Sequence, residues 1–421
     1  MRENSHQPAP SVYFAEVLKW IFLIAGLSLL IGSAVALFLW SLNKATTTRF
    51  EYPWLLYFLP LGGLVVVWIY RKYGAGSEGG NNLIMDQIHE PGGGVPVRMA
   101  PLVLFGTVVT HLFGGSAGRE GTAVQMGGSL ASFLVRHLRL APTRIPTLLM
   151  AGMAGGFGAV FGTPLAGTVF ALEVLSIGQI HYRALLPCFL TSVLSDIVCK
   201  TWGAHHDTFR IKFFVSHELS IPTGISLGLK VVLAAIAFGL CSRLFASAVH
   251  ALKDLFAKYI PFLFRPIVGG LLVIGLVWVV GTRDYLGLSV SSPNPDGITL
   301  GSFFSSNQIH YHSFFWKFVF TTITLAAGFK GGEVTPLFFI GAALGNALAG
   351  ILGAPPDLFA ALGFVAVFGA ASNTPIASMI MGLELFGVND GVFIAAACII
   401  AYCASGHRGI YGAQKITIPK H

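Results

Sequence analysis

Charged side chains are scarce in this chain. Asp, Glu, Lys and Arg make up 10% of its 421 residues, against about 25% in soluble domains. So little charge excludes an ordinary water-soluble domain. The net charge of +8 is spread through loops and ends without a basic block, which argues against nucleic-acid binding and fits interfacial Lys and Arg. Cysteine is also sparse, at five. Cys188, Cys199, Cys241, Cys398 and Cys403 form no CxxC pair, so neither a disulfide frame nor a metal site is expected. All but Cys199 lie inside apolar runs, and the five read as small buried apolar residues. A cleavable leader is not expected either. Residues 1–15 are polar, and the run Val17 to Leu42 is too long for a signal segment and reads as a first membrane helix.

What is present is hydrophobic surface and glycine. Apolar residues make up 54% and glycine numbers 51, with a mean hydropathy of +0.73. This is the composition of a polytopic membrane protein whose helices pack closely. The apolar runs are many, and several are short or broken by Gly and Pro. Irregular backbone at membrane depth is tolerated only where it is buried or lines a cavity. The segment Gly74 to Gly94, holding Gly80-Asn81-Asn82-Leu83, is too polar to cross lipid alone.

One stretch organises the rest: Gly114-Gly115-Ser116-Ala117-Gly118-Arg119-Glu120-Gly121-Thr122. It reads as a glycine-rich approach to a helix. Glycines permit sharp turns and close approach, and a helix start presents free N–H groups to an anion. The Glu120 carboxylate can fill that place itself, or leave it when protonated and admit another anion.

The chain repeats internally. Gly158-Ala159, Thr163-Pro164-Leu165-Ala166 and Leu172-Glu173 match Gly369-Ala370, Thr374-Pro375-Ile376-Ala377 and Leu383-Glu384 at an offset of 211 residues. Glu120-Gly121-Thr122 matches Glu333-Val334-Thr335 at an offset of 213. Paired repeats with broken segments in corresponding places point to a transporter whose site lies where the repeats meet. Helix starts at Glu120 and Glu333 would then aim at one central point. The expected organisation is an N-terminal cytoplasmic segment 1–16, a first repeat 17–202, a link 203–221, a second repeat 222–414 and a tail 415–421.

These residues resemble the CLC family of chloride channels and anion/proton antiporters. Gly118-Arg119-Glu120-Gly121 is similar to that family's G(K/R)EG motif, Glu333-Val334-Thr335-Pro336 lies at its GxFxP position, and Tyr411 lies at its anion-coordinating tyrosine. The resemblance runs from about Val17 to Gln414. It implies an all-α, inverted-repeat membrane fold of CLC type with short and broken transmembrane helices, assembled as a homodimer with one pathway per subunit.

The departures from the chloride pattern carry information. Gly80-Asn81-Asn82-Leu83 replaces the serine motif, Thr122 replaces proline, Glu333-Val334-Thr335 replaces a phenylalanine filter, and Val174 replaces an internal proton-site glutamate. Together these resemble the fluoride/proton antiporter branch. That branch implies fluoride export against proton influx across a bacterial inner membrane, protecting the cell from fluoride gathered by acid trapping. Fluoride is small and strongly hydrated, so a site that strips its water must supply close donors. Asn81, Tyr411, Thr335 and the helix starts formed by Gly118, Arg119, Gly121 and Thr122 could supply them. Glu120 is the candidate gate and proton carrier. Glu333, with Val334 and Thr335, is the second candidate acid and its surroundings. Glu173 and Glu384 follow apolar runs in both repeats and suggest structural pairing. Asp196 and Lys200 suggest an interfacial ion pair. No cofactor or metal is called for. The alternative within the family is a chloride/proton antiporter or a passive anion channel.

Gly114-Gly115-Ser116-Ala117-Gly118 also fits the GxSxG string of serine hydrolases. Such a nucleophile needs an oriented histidine, and the spacing of His111 and His250 from Ser116 implies no triad. No enzyme is expected.

Overall fold

The computed structural model describes residues 10–206, 211, 221–305 and 308–420. Sixteen α-helices form among them, and they fall into two series of eight. The first series is α1 (Pro10–Glu51), α2 (Leu59–Tyr73), α3 (Asn81–His89), α4 (Met99–Leu112), α5 (Glu120–His137), α6 (Ile145–Phe161), α7 (Pro164–Glu173) and α8 (Leu185–Thr201). The second is α9 (Ile221–Tyr259), α10 (Arg265–Val280), α11 (Ser302–Ser305), α12 (Ser313–Ala326), α13 (Val334–Leu352), α14 (Pro356–Ser372), α15 (Pro375–Phe386) and α16 (Gly391–Ala404). Order and lengths correspond: each series opens on a helix of about 40 residues, 42 in α1 and 39 in α9. Six helical spans among the described residues are long and apolar enough to cross a membrane. The rest are shorter and rely on neighbours to cover their ends. The chain is an integral membrane protein.

Proline and glycine set many of the boundaries. The Thr163-Pro164 and Thr374-Pro375 pairs open α7 and α15 with proline at the first helical position. Its missing N–H costs nothing there. Left-handed residues close the preceding helices, Gly162 after α6 and Asn373 after α14.

Close crossings hold each series together. α5 packs on α6 and α13 packs on α14. A Cβ on Gly127 would lie 2.0 Å from the Gly152 carbonyl oxygen, and one on Gly341 would lie 2.1 Å from that of Gly363. Only glycine allows backbones this near, as in tightly packed membrane helices. Phenylalanines meet between the series. Phe161 lies 5.2 Å from Phe338, and Phe157 and Phe170 each stack on Phe368 at 6.2 Å.

The structure refines the sequence reading at four places. α1 begins at Pro10, ahead of Val17, and continues past Leu42 to Glu51, because no breaker intervenes before Pro53. The Gly80-Asn81 segment is more than a loop: Gly80, at φ +57°, turns the chain into α3, whose first residue is Asn81. The tail is fastened, since Lys415–Ile416 pairs in parallel with Ser176–Ile177. Cys403 is exposed and Cys241 half-buried, while Cys199 is buried; all five cysteines are free. Most of the 203–221 link lies outside the described residues.

Candidate functional site

The two glycine-rich approaches meet at the centre. Gly118 and Gly332 form an antiparallel bridge. The Gly118 N–H donates to the Gly332 carbonyl at 2.6 Å, and the Gly332 N–H donates back at 2.7 Å. This bridge locks the start of α5 against the start of α13. Side chains are excluded here, since a Cβ on Gly118 would lie 2.7 Å from Glu120 Oε2 and one on Gly332 would lie 2.9 Å from the Gly121 nitrogen.

Glu120 is fully buried at this junction. Its Oε2 accepts the Thr335 backbone N–H at 3.0 Å and the Arg119 N–H at 3.1 Å. The Thr335 hydroxyl donates to its Oε1. The carboxylate of one series therefore sits on the helix start of the other. Free N–H groups and the positive end of a helix dipole favour an anion at such a place, and Glu120 supplies that anion itself.

Two cavities flank the junction. One, of about 170 Å³, is lined by Asn81, Gly121, Glu333, Val334 and Tyr411, together with Gln125, His250, Lys253 and Lys330. The other, of about 30 Å³, is lined by Arg119 and Thr335 among aromatic residues that include Phe161, Phe338 and Phe364. Consecutive residues face different cavities: Arg119 the small one and Gly121 the large, Thr335 the small one and Val334 the large. Glu120 and the two helix starts form the partition.

The expected site residues are thus mostly gathered. The Asn81 amide nitrogen stands 3.2 Å from where a Cβ on Gly121 would lie. Tyr411 is buried, contacts Phe170 edge-on at 6.3 Å, and lines the same cavity as Glu333. Lys253 lines the same cavity as Glu333. Thr122 turns elsewhere, with its hydroxyl 2.7 Å from that of Thr107.

Several contributors were not singled out in the sequence. Gln125 lies one helical turn past Gly121, a spacing that signals the same face. Lys253 interrupts an apolar helix with charge. Asn82 and Gln414 hold the Tyr411 segment. Asn82 Oδ1 accepts the Ala413 N–H at 3.1 Å, and Gln414 Nε2 donates to the Val174 and Ser372 carbonyls at 2.9 and 3.1 Å.

Ser116 is engaged with Thr321, hydroxyl to hydroxyl at 2.9 Å. His111 bonds the Thr107 and Ala117 carbonyls, and His250 bonds the Gly409 carbonyl. Neither ring faces Ser116 as a base. Asp196 pairs with Lys200 at 2.7 Å.

A sequence profile described as voltage gated chloride channel matches residues 62–406. The chain belongs to the CLC family. It is 46% identical over 408 residues to a chloride/fluoride channel protein of Pseudomonas syringae pathovar tomato, covering 96% of this chain and 88% of that protein. Among solved CLC structures, a CLC-type fluoride/proton antiporter superposes with a TM-score of 0.88 at 35% identity, over 96% of this chain and 99% of the other. A slow cyanobacterial chloride/proton antiporter superposes with a TM-score of 0.76 at 18% identity, over 92% and 94%, and that likeness concerns the fold. The CLC-type inverted-repeat architecture expected from the sequence is the one observed.

Proposed function

We propose that this CLC protein is a fluoride/proton antiporter of a bacterial inner membrane, exporting fluoride in exchange for proton influx and conferring fluoride resistance, and that it works as a homodimer with one pathway per subunit. One observation carries the reading. The Glu120 carboxylate occupies a helix start and takes its donors from Thr335, so a proton-binding group and a small anion compete for the same donors. When Glu120 takes up a proton its claim on those donors weakens, and a dehydrated fluoride replaces it. Asn81 and Tyr411 line the approach from the larger cavity and supply side-chain donors. The likeness to a fluoride/proton antiporter over nearly the whole chain supports the same reading.

Val174, buried beyond Glu173, offers no acid for an internal proton route. Glu78 and Glu333 both line the larger cavity, with Lys253 beside them; Glu333, at the start of α13, takes that part. Passive flow is disfavoured by the closed partition between the cavities. The test is ion efflux from liposomes holding purified protein, with fluoride and chloride compared and protons recorded. Fluoride efflux that drives proton uptake supports the proposal. Chloride coupling of equal strength, or fluoride flow without proton movement, would replace it with the chloride or channel reading.

A further inference from the structure

A cavity away from the ion site carries a second positive centre. A cavity of about 470 Å³ lies between the end of α1 and the end of α10, lined by Arg49, Tyr57, Trp278, Arg283, Asp284 and Ser291 among others. It is remote from Glu120. α2 begins just after Tyr57 and ends just before Ser77, which lines the Asn81 cavity. At about 1.5 Å per residue, α2 separates the two cavities by about 20 Å.

Arg49 is 8% exposed. Its guanidinium lies against Gly287, where a Cβ would meet Nη1 at 2.8 Å. Nη1 is buried and has no hydrogen-bond partner among the described residues. An unmade bond from a buried charged donor is costly. Arg283 is exposed at the cavity rim and donates from Nη1 to the Pro53 carbonyl at 3.1 Å. The negative charge present is Asp284, whose Oδ2 is held by the Ile298 N–H at 3.1 Å. Two guanidiniums facing one carboxylate leave a net positive cavity. The outer wall is aromatic and open: Trp278 is 72% exposed and Tyr57 48%. Exposed Trp and Tyr mark the headgroup level of a bilayer.

We infer that this cavity binds a phosphate group, its donors being the guanidiniums of Arg49 and Arg283. Guanidinium forks match phosphate oxygens. An anionic phospholipid brings that group together with apolar chains for the Trp278 wall, and free phosphate is the other source of the same chemistry.

The experiment uses the full chain in detergent and follows tryptophan fluorescence and thermal stability. One titration uses short-chain phosphatidylglycerol and another inorganic phosphate. Saturable binding of phosphatidylglycerol, weakened about tenfold or more in Arg283→Gln, supports the site and assigns it to lipid. Binding of inorganic phosphate with the same Arg283 dependence supports the site and assigns it to the free anion. Arg283 is exposed and Arg49 buried, so the variant at Arg283 is the one that keeps the fold. No binding of either probe, or equal binding in wild type and Arg283→Gln, overturns the inference.

Discussion

Glu173 and Glu384 cap each other's repeat. The Glu173 carboxylate accepts the N–H groups of Ile376 and Ala377 at 3.1 and 2.8 Å, at the start of α15. The Glu384 carboxylate accepts those of Leu165 and Ala166 at 2.9 and 2.8 Å, at the start of α7. Proline opens both helices, so the next two residues present the free donors. The two acids thus clamp α7 to α15, beside the junction that carries Glu120.

This clamp predicts a stability effect separable from transport. Each carboxylate makes two charge-assisted bonds, and losing such bonds costs about 1.5–3 kcal/mol apiece. Glu173→Ala should lower thermal stability clearly. Glu384→Ala should do so less, because Glu384 is half-buried while Glu173 is 6% exposed. Thermal unfolding in detergent checks this. Fluoride flux per folded protein should stay proton-coupled in both.

A second prediction concerns the donors around the larger cavity. Removing one donor to a buried charge costs about 1.5–3 kcal/mol, roughly tenfold to a hundredfold in affinity. Asn81→Ala and Tyr411→Phe should each weaken fluoride binding by about that factor, read by calorimetric titration. Asn81→Ser should move selectivity toward chloride. Full fluoride preference in Asn81→Ser would remove α3 from the selectivity element.

A third concerns Val334, which lies between Glu333 and Thr335 and faces the larger cavity. Val334→Gly should widen the partition and give faster fluoride flow with fewer protons per ion. Glu333→Gln and Thr335→Ala should depress coupled turnover more than folding. Parallel recordings of fluoride and protons on the same vesicles decide this. Unchanged coupling in all three variants would reduce the segment to helix capping.

A fourth concerns the glycine crossings. Gly152→Ala would place a methyl carbon 2.5 Å from the Gly127 carbonyl oxygen. The α5–α6 pair would have to separate, at about 1–3 kcal/mol or more. A sharp drop in folded yield on size-exclusion chromatography is expected.

Much of this was legible in the sequence. The Thr-Pro starts and trailing glutamates gave the repeat, and the repeat placed Glu120 and Glu333 at paired helix starts. Composition gave the membrane setting. What stayed hidden was tertiary partnership. Nothing in the local string says that Glu173 caps α15, that Thr335 holds Glu120, or that Thr122 turns to Thr107. These are tertiary pairings between residues as much as 215 positions apart. The pairing of the tail was not legible, because a two-residue strand leaves no periodic signal. α3 was underread because its nine residues are polar and short, and its start depends on the left-handed turn at Gly80.

The central claim is that one carboxylate, Glu120, both closes the partition and carries the proton. The direct measurement is simultaneous fluoride efflux and proton uptake in liposomes containing Glu120→Gln. The amide keeps the shape but cannot bind and release a proton. The account predicts no proton movement driven by a fluoride gradient, with a folded protein by thermal unfolding. Proton uptake at the wild-type ratio in that variant would contradict it.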